Sequence, residues 1–507
     1  MSEMGMLAPP RAGRREWSAL AVLVLVVSLI TIDNTVLYLA VPSLAADLEP
    51  SATQLLWIGD IYSFALAGLL ITMGNLADRI GRKRLLLLGA AAFGAASALA
   101  AFAPNAETLI AARALLGVAG ATLMPSTLSL IRAMFADSRQ RTTAIAIWSM
   151  GATAGAAVGP LVGGVLLENF WWGSVLLINI PVMALVLIAG PILLTESRGT
   201  TDARVDVLSS LLSILAIIPV VYAVKHWVGS EFDGNVPLAA ALGIASGWVF
   251  LRRQRQLANP LLDLSLFRMP AFAGSVAANG LAIAAFLGLL YFFSQYLQLV
   301  REYGPLQAGL AELPSTIASM LVILFVGVLT AKLGRGRAIG LGLATGALGI
   351  AALGFATSLP GYWGLGIAAA LLGLGIGVAM TLSTDAMVSA VPTERAGAAS
   401  SIAETAYELG GALGIAVLGS LQVAIYRSHL DLPTGTDPVD TALAESSLSS
   451  AVGSADPVVV DHARSAFVVA VQNTSVIAAA ILAVSAVVAW LVIPSPRNPK
   501  AETHDPH

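Results

Sequence analysis

The sequence predicts an all-α, polytopic membrane protein whose fourteen crossing helices fall into a six-helix half, an inserted pair and a second six-helix half. Three observations predict it. Of 507 residues, 57% are hydrophobic and only 11% charged, where roughly 25% charged residues are usual in a soluble domain. Apolar runs of the ~20 residues needed to cross a hydrocarbon core about 30 Å thick recur fourteen times. Most of the basic residues, finally, fall on one side of the implied membrane.

The first run, 17–42, follows Arg11, Arg14 and Arg15. It has no small-residue cleavage site at the proper distance, so it reads as a first span and not as a leader that is removed. Runs at 54–73, 85–103, 108–134, 142–167 and 173–194 complete the first half. The insert is 206–228, interrupted by Pro219, and the short 236–251. Runs at 271–299, 308–331, 338–357, 363–391, 398–426 and 467–493 make the second half. An even count puts both termini on one side, and the excess of Lys and Arg makes that side cytoplasmic. Of the 27 basic residues, only Lys225, Arg301, Arg427 and Arg464 lie on the other side, with Arg113 inside a span. The expected division is therefore a cytoplasmic N-terminus 1–16, a bundle 17–194, a linker 195–270 holding the insert, a bundle 271–493 and a cytoplasmic C-terminus 494–507. The second bundle includes an extracellular loop, 427–466, in which Asp437-Pro438 and Asp456-Pro457 suit an N-cap and a first helical position. A small helical hairpin is expected there, covering the outer mouth or simply connecting two spans.

The halves echo one another. "GNLADRIGRKR" (74–84) returns in degraded form as "GVLTAKLGRGR" (327–337), and "ALLGVAGATLM" (114–124) as "ALLGLGIGVAM" (370–380). "GAAVGPLVGG" (155–164) lines up with the run from Gly410 to Ser420. Paired halves around a cavity near the midplane are a common construction of secondary transporters. Other classes find little support. Cysteine is absent, the five histidines sit at span ends, in loops or in the tail, and no phosphate-binding glycine loop is present. No cofactor, metal or catalytic residue is expected, and no basic arm suits nucleic acid. A membrane enzyme or sensor is the disfavoured reading.

With those motifs in place, a family resemblance can be stated. "GNLADRIGRKR" resembles the loop between helices two and three of the major facilitator superfamily, "RALLGVAGA" from Arg113 its helix-four motif, and "GAAVGPLVGG" the helix-five motif of its drug/proton antiporters. "DNTVLYLAVP" is similar to helix one of the fourteen-helix antiporters, except that Tyr38 stands where Asn is usual. Asp33, Asp60, Glu404 and Glu408 together resemble the quaternary-ammonium efflux branch. The resemblance covers nearly the whole chain. It implies the major facilitator fold, a monomer in a bacterial inner membrane, and proton-coupled export of lipophilic cations.

The residues carry their own reading. Gly74 and Gly81 permit close approach and a tight turn, and Asp78 can accept from helix-end amides or an Arg. Arg79, Arg82, Lys83 and Arg84 face the cytoplasm. A conformational latch is expected from this loop, the alternative being plain positive-inside charge. Gly151, Gly155, Gly159, Gly163 and Gly164 form a smooth stripe, which Pro160 bends; it is a hinge or seal between halves, or packing alone. Asp33, Asp60 and Arg113 all fall in the outer half, where they can share a polar cluster, and a structural Asp33–Arg113 pair is the plain alternative. Glu404 and Glu408 are one turn apart on one face. Two like charges so placed in low dielectric cannot both stay ionised cheaply, which suits a proton carrier. Asp385 and Glu312 lie nearer span ends and read as structural.

Asp33, Arg113, Glu404 and Glu408 are thus the candidates for proton coupling. Asp60, Trp57, Tyr62, Trp148, Tyr291, Phe292 and Tyr407, with the two glutamates, are those for binding a cation, since a cation over an aromatic ring gains ~0.5–2 kcal/mol. Expected partners are protons, lipophilic cationic small molecules and the lipid bilayer. The rival reading within transport is a proton-coupled exporter of a neutral or anionic metabolite, antibiotic or lipid.

Overall fold

A computed structural model describes residues 12–198, 206–228, 234–257, 260, 262, 264–389 and 396–494. The two terminal segments expected to be cytoplasmic lie almost wholly outside the described residues. The chain begins with α1 (Arg14–Leu48), α2 (Ala52–Ile80), α3 (Arg82–Ala101), α4 (Ala106–Met134) and α5 (Ser138–Asn169). A single expected span, 173–194, is broken at Ile178 into α6 (Ser174–Leu177) and α7 (Asn179–Leu193). Next come α8 (Val207–Val228) and α9 (Asn235–Gln254), then α10 (Pro270–Gln295), which continues as a wider turn over Tyr296–Val300. The expected span 308–331 is α11 (Pro305–Leu321) and α12 (Val326–Leu333), bent by 55° between them. The chain finishes with α13 (Arg335–Ala356), α14 (Trp363–Ser389), α15 (Ala396–His429), α16 (Pro438–Ser446), α17 (Leu448–Ala451) and α18 (Pro457–Val492).

Among the described residues, twelve helices are long and apolar enough to cross a membrane. The bent α11–α12 pair adds a thirteenth if it counts as one crossing, and the apolar part of α8, Leu208–Ala223, is shorter. The expected count of fourteen is therefore met only in this coarser form. Most helices also run beyond the apolar windows, because capped polar turns extend them past the hydrocarbon. Ser51 and Gln54 form a reciprocal capping box at α2, while Asn105 and Asp137 accept amides at the starts of α4 and α5.

One end of the molecule gathers Arg15, Lys83, Gln140 and Glu196. Here Arg15 donates to the carbonyls of Ile192 and Leu193, and Lys83 to that of Pro191. This is the terminal end. The opposite, loop end gathers Asp47 with Trp172 and Arg301 with Leu359. Both Asp-Pro pairs start helices as expected, with Asp437 accepting from Val439 and Asp456 from Val458. The second opens the long α18, however, so the expected hairpin is only α16 and the single turn α17, held by a hydrogen bond from the Tyr426 hydroxyl to the Ala444 carbonyl.

Helices α1–α7 pack on one another, as do α10–α18, and α8 and α9 pair together with α8 resting on α2 and α15. Around the outside, Leu88, Ile188, Ile244 and Leu491 are exposed, which is costly in water and free in lipid.

Candidate functional site

In the first set of helices, α1 carries Asp33 and α4 carries Arg113, 0% and 1% exposed. They meet at 3.0 Å. The other Asp33 oxygen accepts from the Asn179 amide at 2.7 Å, and that amide also reaches Ser97. Arg113 donates further to the Ile58 carbonyl and lies 4.8 Å from the centroid of the Tyr62 ring. Both charges are thus compensated, which is how an ion pair survives burial. The Asp33–Arg113 contact that the sequence offered as an alternative is present. Asn179 supplies the signal that was there to find: a lone amide inside the apolar run 173–194, at the break between α6 and α7.

The two glutamates sit in the second set, on α15. Glu408 is buried, Glu404 and Tyr407 half-buried. Ser63 of α2 lies beside the Glu408 carboxyl across the seam between sets. Tyr38, on α1, lies close enough to Glu408, Asp60 and Arg113 to feel their charges, and Tyr407 close enough to Glu404, Glu408 and Tyr38. Tyr38 packs edge-on to Tyr291 at 5.9 Å, and Asp60 is fully buried nearby. The residue read as a departure from the helix-one pattern is therefore central to the group. Nothing in the one-dimensional pattern placed Ser63 or Tyr38 there, because both act across helices far apart in sequence.

Other aromatic candidates lie elsewhere. Trp57 shares its helix face with Phe64 and packs toward Ile217, Val221 and Leu409, on the side covered by α8. Tyr62 presses on α4, where a side chain at Gly120 would meet its hydroxyl at 3.0 Å. Its role is as a platform beneath Arg113. Trp148 is half-buried on α5, its indole nitrogen without a hydrogen-bond partner. Tyr291 and Phe292 line a small cavity of about 40 Å³ at the loop end, together with Leu55, Leu56, Gln422 and Tyr426 and roofed by Ser446, Ser447 and Leu448.

The helix sets touch from mid-helix to the loop end. Tyr291 donates to the Leu55 carbonyl at 3.0 Å, and Gln298 to the Leu39 carbonyl at 3.1 Å. A side chain at Gly309 would run into the Pro160 carbonyl, and one at Gly164 would come within 2.7 Å of the Leu306 Cα. The glycine stripe divides its work accordingly. Gly155 and Gly159 face Ser28, Thr31 and Thr35 of α1, inside the first set, while Gly164 and the Pro160 carbonyl face the second.

At the terminal end, Gly81 joins α2 to α3 at φ +115°, a value side chains rarely adopt. Glu196 folds against it and accepts the Lys83 and Arg84 amides at 3.1 and 3.2 Å, capping α3. Sequence gave no hint of Glu196. Arg79 is exposed, Arg82 donates to the Ser129 carbonyl, and the side chain of Asp78 lies outside the described ones. Gly74 is not a close approach: a Cβ there would meet only ordinary contact with Pro125, at 3.6 Å. Asp385 pairs with Arg335 at 3.0 Å and is half exposed, as a structural reading expects, whereas Glu312 is buried.

Polar groups walled off from lipid, placed where two helix sets meet, serve a protein that moves a solute through the membrane. The class so defined is a membrane transporter. The sequence profile of the Major Facilitator Superfamily matches residues 23–415. The multidrug efflux pump LfrA of Mycolicibacterium smegmatis is 46% identical over 497 residues, covering 96% of this chain and 98% of LfrA. The methyl viologen resistance protein SmvA of Salmonella typhimurium is 37% identical over 465 residues, covering 90% and 93%. In fold, a bacterial homologue of the human lysosomal transporter Spinster superimposes with a TM-score of 0.62 at 18% identity, covering 96% of this chain and all of that one. The chain belongs to the major facilitator superfamily, in its drug/proton antiporter family, and is a transporter and not an enzyme.

Proposed function

We propose that the protein is a proton-coupled multidrug antiporter of the bacterial inner membrane, exporting lipophilic cations such as quaternary ammonium compounds and cationic dyes. The observation that carries this reading is the seam group: the buried Glu408 facing Ser63 of the opposite helix set, beside Glu404, Tyr407, Tyr38 and the buried Asp60. A carboxyl at such a seam can hold a proton or face a cation, and the two ligands compete for one charge. Aromatic rings add a surface that favours cations over neutral solutes. The names of LfrA and SmvA, an efflux pump and a viologen-resistance protein, agree with it.

In this reading α8, α9 and the bent pair all cross, giving six, two and six spans, with 17–194 and 271–493 as rocking bundles. The terminal end faces the cytoplasm. Cargo enters from that side or from the inner leaflet while the loop end is closed, protons leave the carboxyls, and the bundles rock to open the loop end. Asp33 and Arg113 hold the first bundle's helices in register and can exchange their bond when a proton arrives. One proton against one monovalent cation moves no net charge, so only the pH gradient drives it, about 1.4 kcal/mol per pH unit. A second proton adds about 2.3 kcal/mol per 100 mV of membrane potential.

The test is movement of ethidium or tetraphenylphosphonium in proteoliposomes under an imposed pH gradient, for the native protein and Glu408→Gln. Gradient-driven accumulation that falls at least about tenfold in the variant, with melting temperature unchanged, is the expected result. An unaffected variant removes Glu408 from coupling. Gradient-driven export of a neutral antibiotic, with no movement of either cation, selects the rival reading.

A further inference from the structure

Glu312 is 3% exposed. It lies on α11 about 12 Å from the Gly304 end, at 1.5 Å per residue. One carboxyl oxygen is buried with no hydrogen-bond partner, and Ser294 of α10 lies nearby. Ser294 accepts from Gln298, whose amide donates to the Leu39 carbonyl of α1. Ser294 and Gln298 thus stand between Glu312 and the contact that joins the two helix sets. Glu312 also follows Gly309 by one turn, and Gly309 abuts the Pro160 carbonyl of α5.

Charged and titratable groups on the surrounding elements are engaged elsewhere. On α1, Asp33 is paired with Arg113, and Tyr38 faces Tyr291 of α10. On α5, Glu168 is exposed near Gly304. On α14, Asp385 pairs with Arg335 at the far end, and the Tyr362 hydroxyl just before it donates to the Ala311 carbonyl. Past α10, Arg301 binds the Tyr296 hydroxyl, and Glu302 binds Arg464. An ionised carboxylate with no counter-charge inside the membrane costs several kcal/mol, whereas a neutral acid loses little.

We infer that Glu312 is a second proton-binding site, apart from the Glu404–Glu408 group, that takes up a proton from the loop-side solution as the loop end closes. Parting α5 from α11 and α1 from α10 admits water to the acid, so the open form can hold the charge. Closing removes that water and requires the proton. The closed form then binds one more proton than the open form, and raising the pH favours opening by up to about tenfold per unit. This rests on the alternating opening proposed above but not on the identity of the cargo.

The chain has no cysteine, so spin labels can be placed at Asn169→Cys and Gln307→Cys, both exposed at the loop-end margins of α5 and α11. The distance between them reads the open fraction as pH is varied. In the native background the open-to-closed ratio should rise with pH, and in Glu312→Gln the slope should fall by one power of ten per pH unit, leaving the variant biased towards closure. An unchanged slope overturns the inference while leaving the transport reading intact. A distance that never changes, with or without cargo, sinks the alternating reading instead. Should Glu312→Gln fail to fold, an apolar carbodiimide, which attacks neutral acids, is applied to the unsubstituted protein. A mass-spectrometric adduct on Glu312 supports the site, and none overturns it.

Discussion

At Asp33 and Arg113, geometry separates two roles that sequence left together. Each partner of the 3.0 Å pair is almost wholly buried, and each has a further hydrogen bond, from Asn179 and to Ile58. Asp33→Asn therefore leaves a buried guanidinium without its counter-charge, a change that costs about 3–5 kcal/mol in other proteins. The expected outcome is a clear fall in melting temperature, largely restored in Asp33→Asn with Arg113→Met, because that double change removes both charges. Equal melting of native and single variant would show that water or a proton already screens the pair. Loss of transport in Asp33→Asn alone is thus weak evidence for coupling, which is why Glu408 is the residue to test first. Asp33, Asp60, Glu404 and Glu408 were legible in the sequence because a carboxylate in an apolar run stands out. Asn179, Ser63, Tyr38 and Glu196 were not, since their roles depend on neighbours 22 to 370 residues away that no local pattern specifies.

Among the helices, the ones easiest to read were those with unbroken apolar runs. The two that break within one expected span have local causes: α6 and α7 divide where Asn179 turns inward to Asp33, and α11 and α12 bend at Val322–Phe325, in a helix that already carries Pro314. The helix-five glycines were read as one stripe, either a hinge or seal between the halves or packing alone, and they serve two interfaces. Gly155 faces the Ser28 backbone and the Thr31 hydroxyl on α1 within the first set, whereas Gly309 faces the Pro160 carbonyl on α5 across the sets. Two substitutions separate these roles. Gly155→Ala should push α1 from α5 and destabilise every conformation by about 1–3 kcal/mol, seen as a lower melting temperature with no change in the open fraction. Gly309→Ala should penalise only the closed loop end, raising the open fraction reported by labels at positions 169 and 307 with little effect on melting. Identical effects of the two would mean that α5 and α11 do not part.

For the molecule as a whole, the contacts between sets from the midpoint to the loop end must break if cargo is to leave there. Tyr291 with Leu55, Gln298 with Leu39 and Leu306 with Gly164 form one closed rim on three pairs of helices, so none can open far while another is fixed. That rim can be locked covalently. A Cβ on Gly164 would lie 2.7 Å from the Leu306 Cα, so the side chains of Gly164→Cys and Leu306→Cys come within the short span a disulfide needs, about 3.5–4.5 Å between Cβ atoms. The absence of native cysteine makes this the sole bridge the double variant can form. Oxidised, it should still bind ethidium from the terminal end, because the seam carboxyls remain reachable from that side. It should not move the dye across the membrane. Reduction should restore the native rate, which rules out damage from the substitutions themselves. Native-rate transport by the oxidised form, with the bridge confirmed by mass spectrometry, would mean that the loop end is not the exit, and the direction of the whole cycle would have to be reassigned.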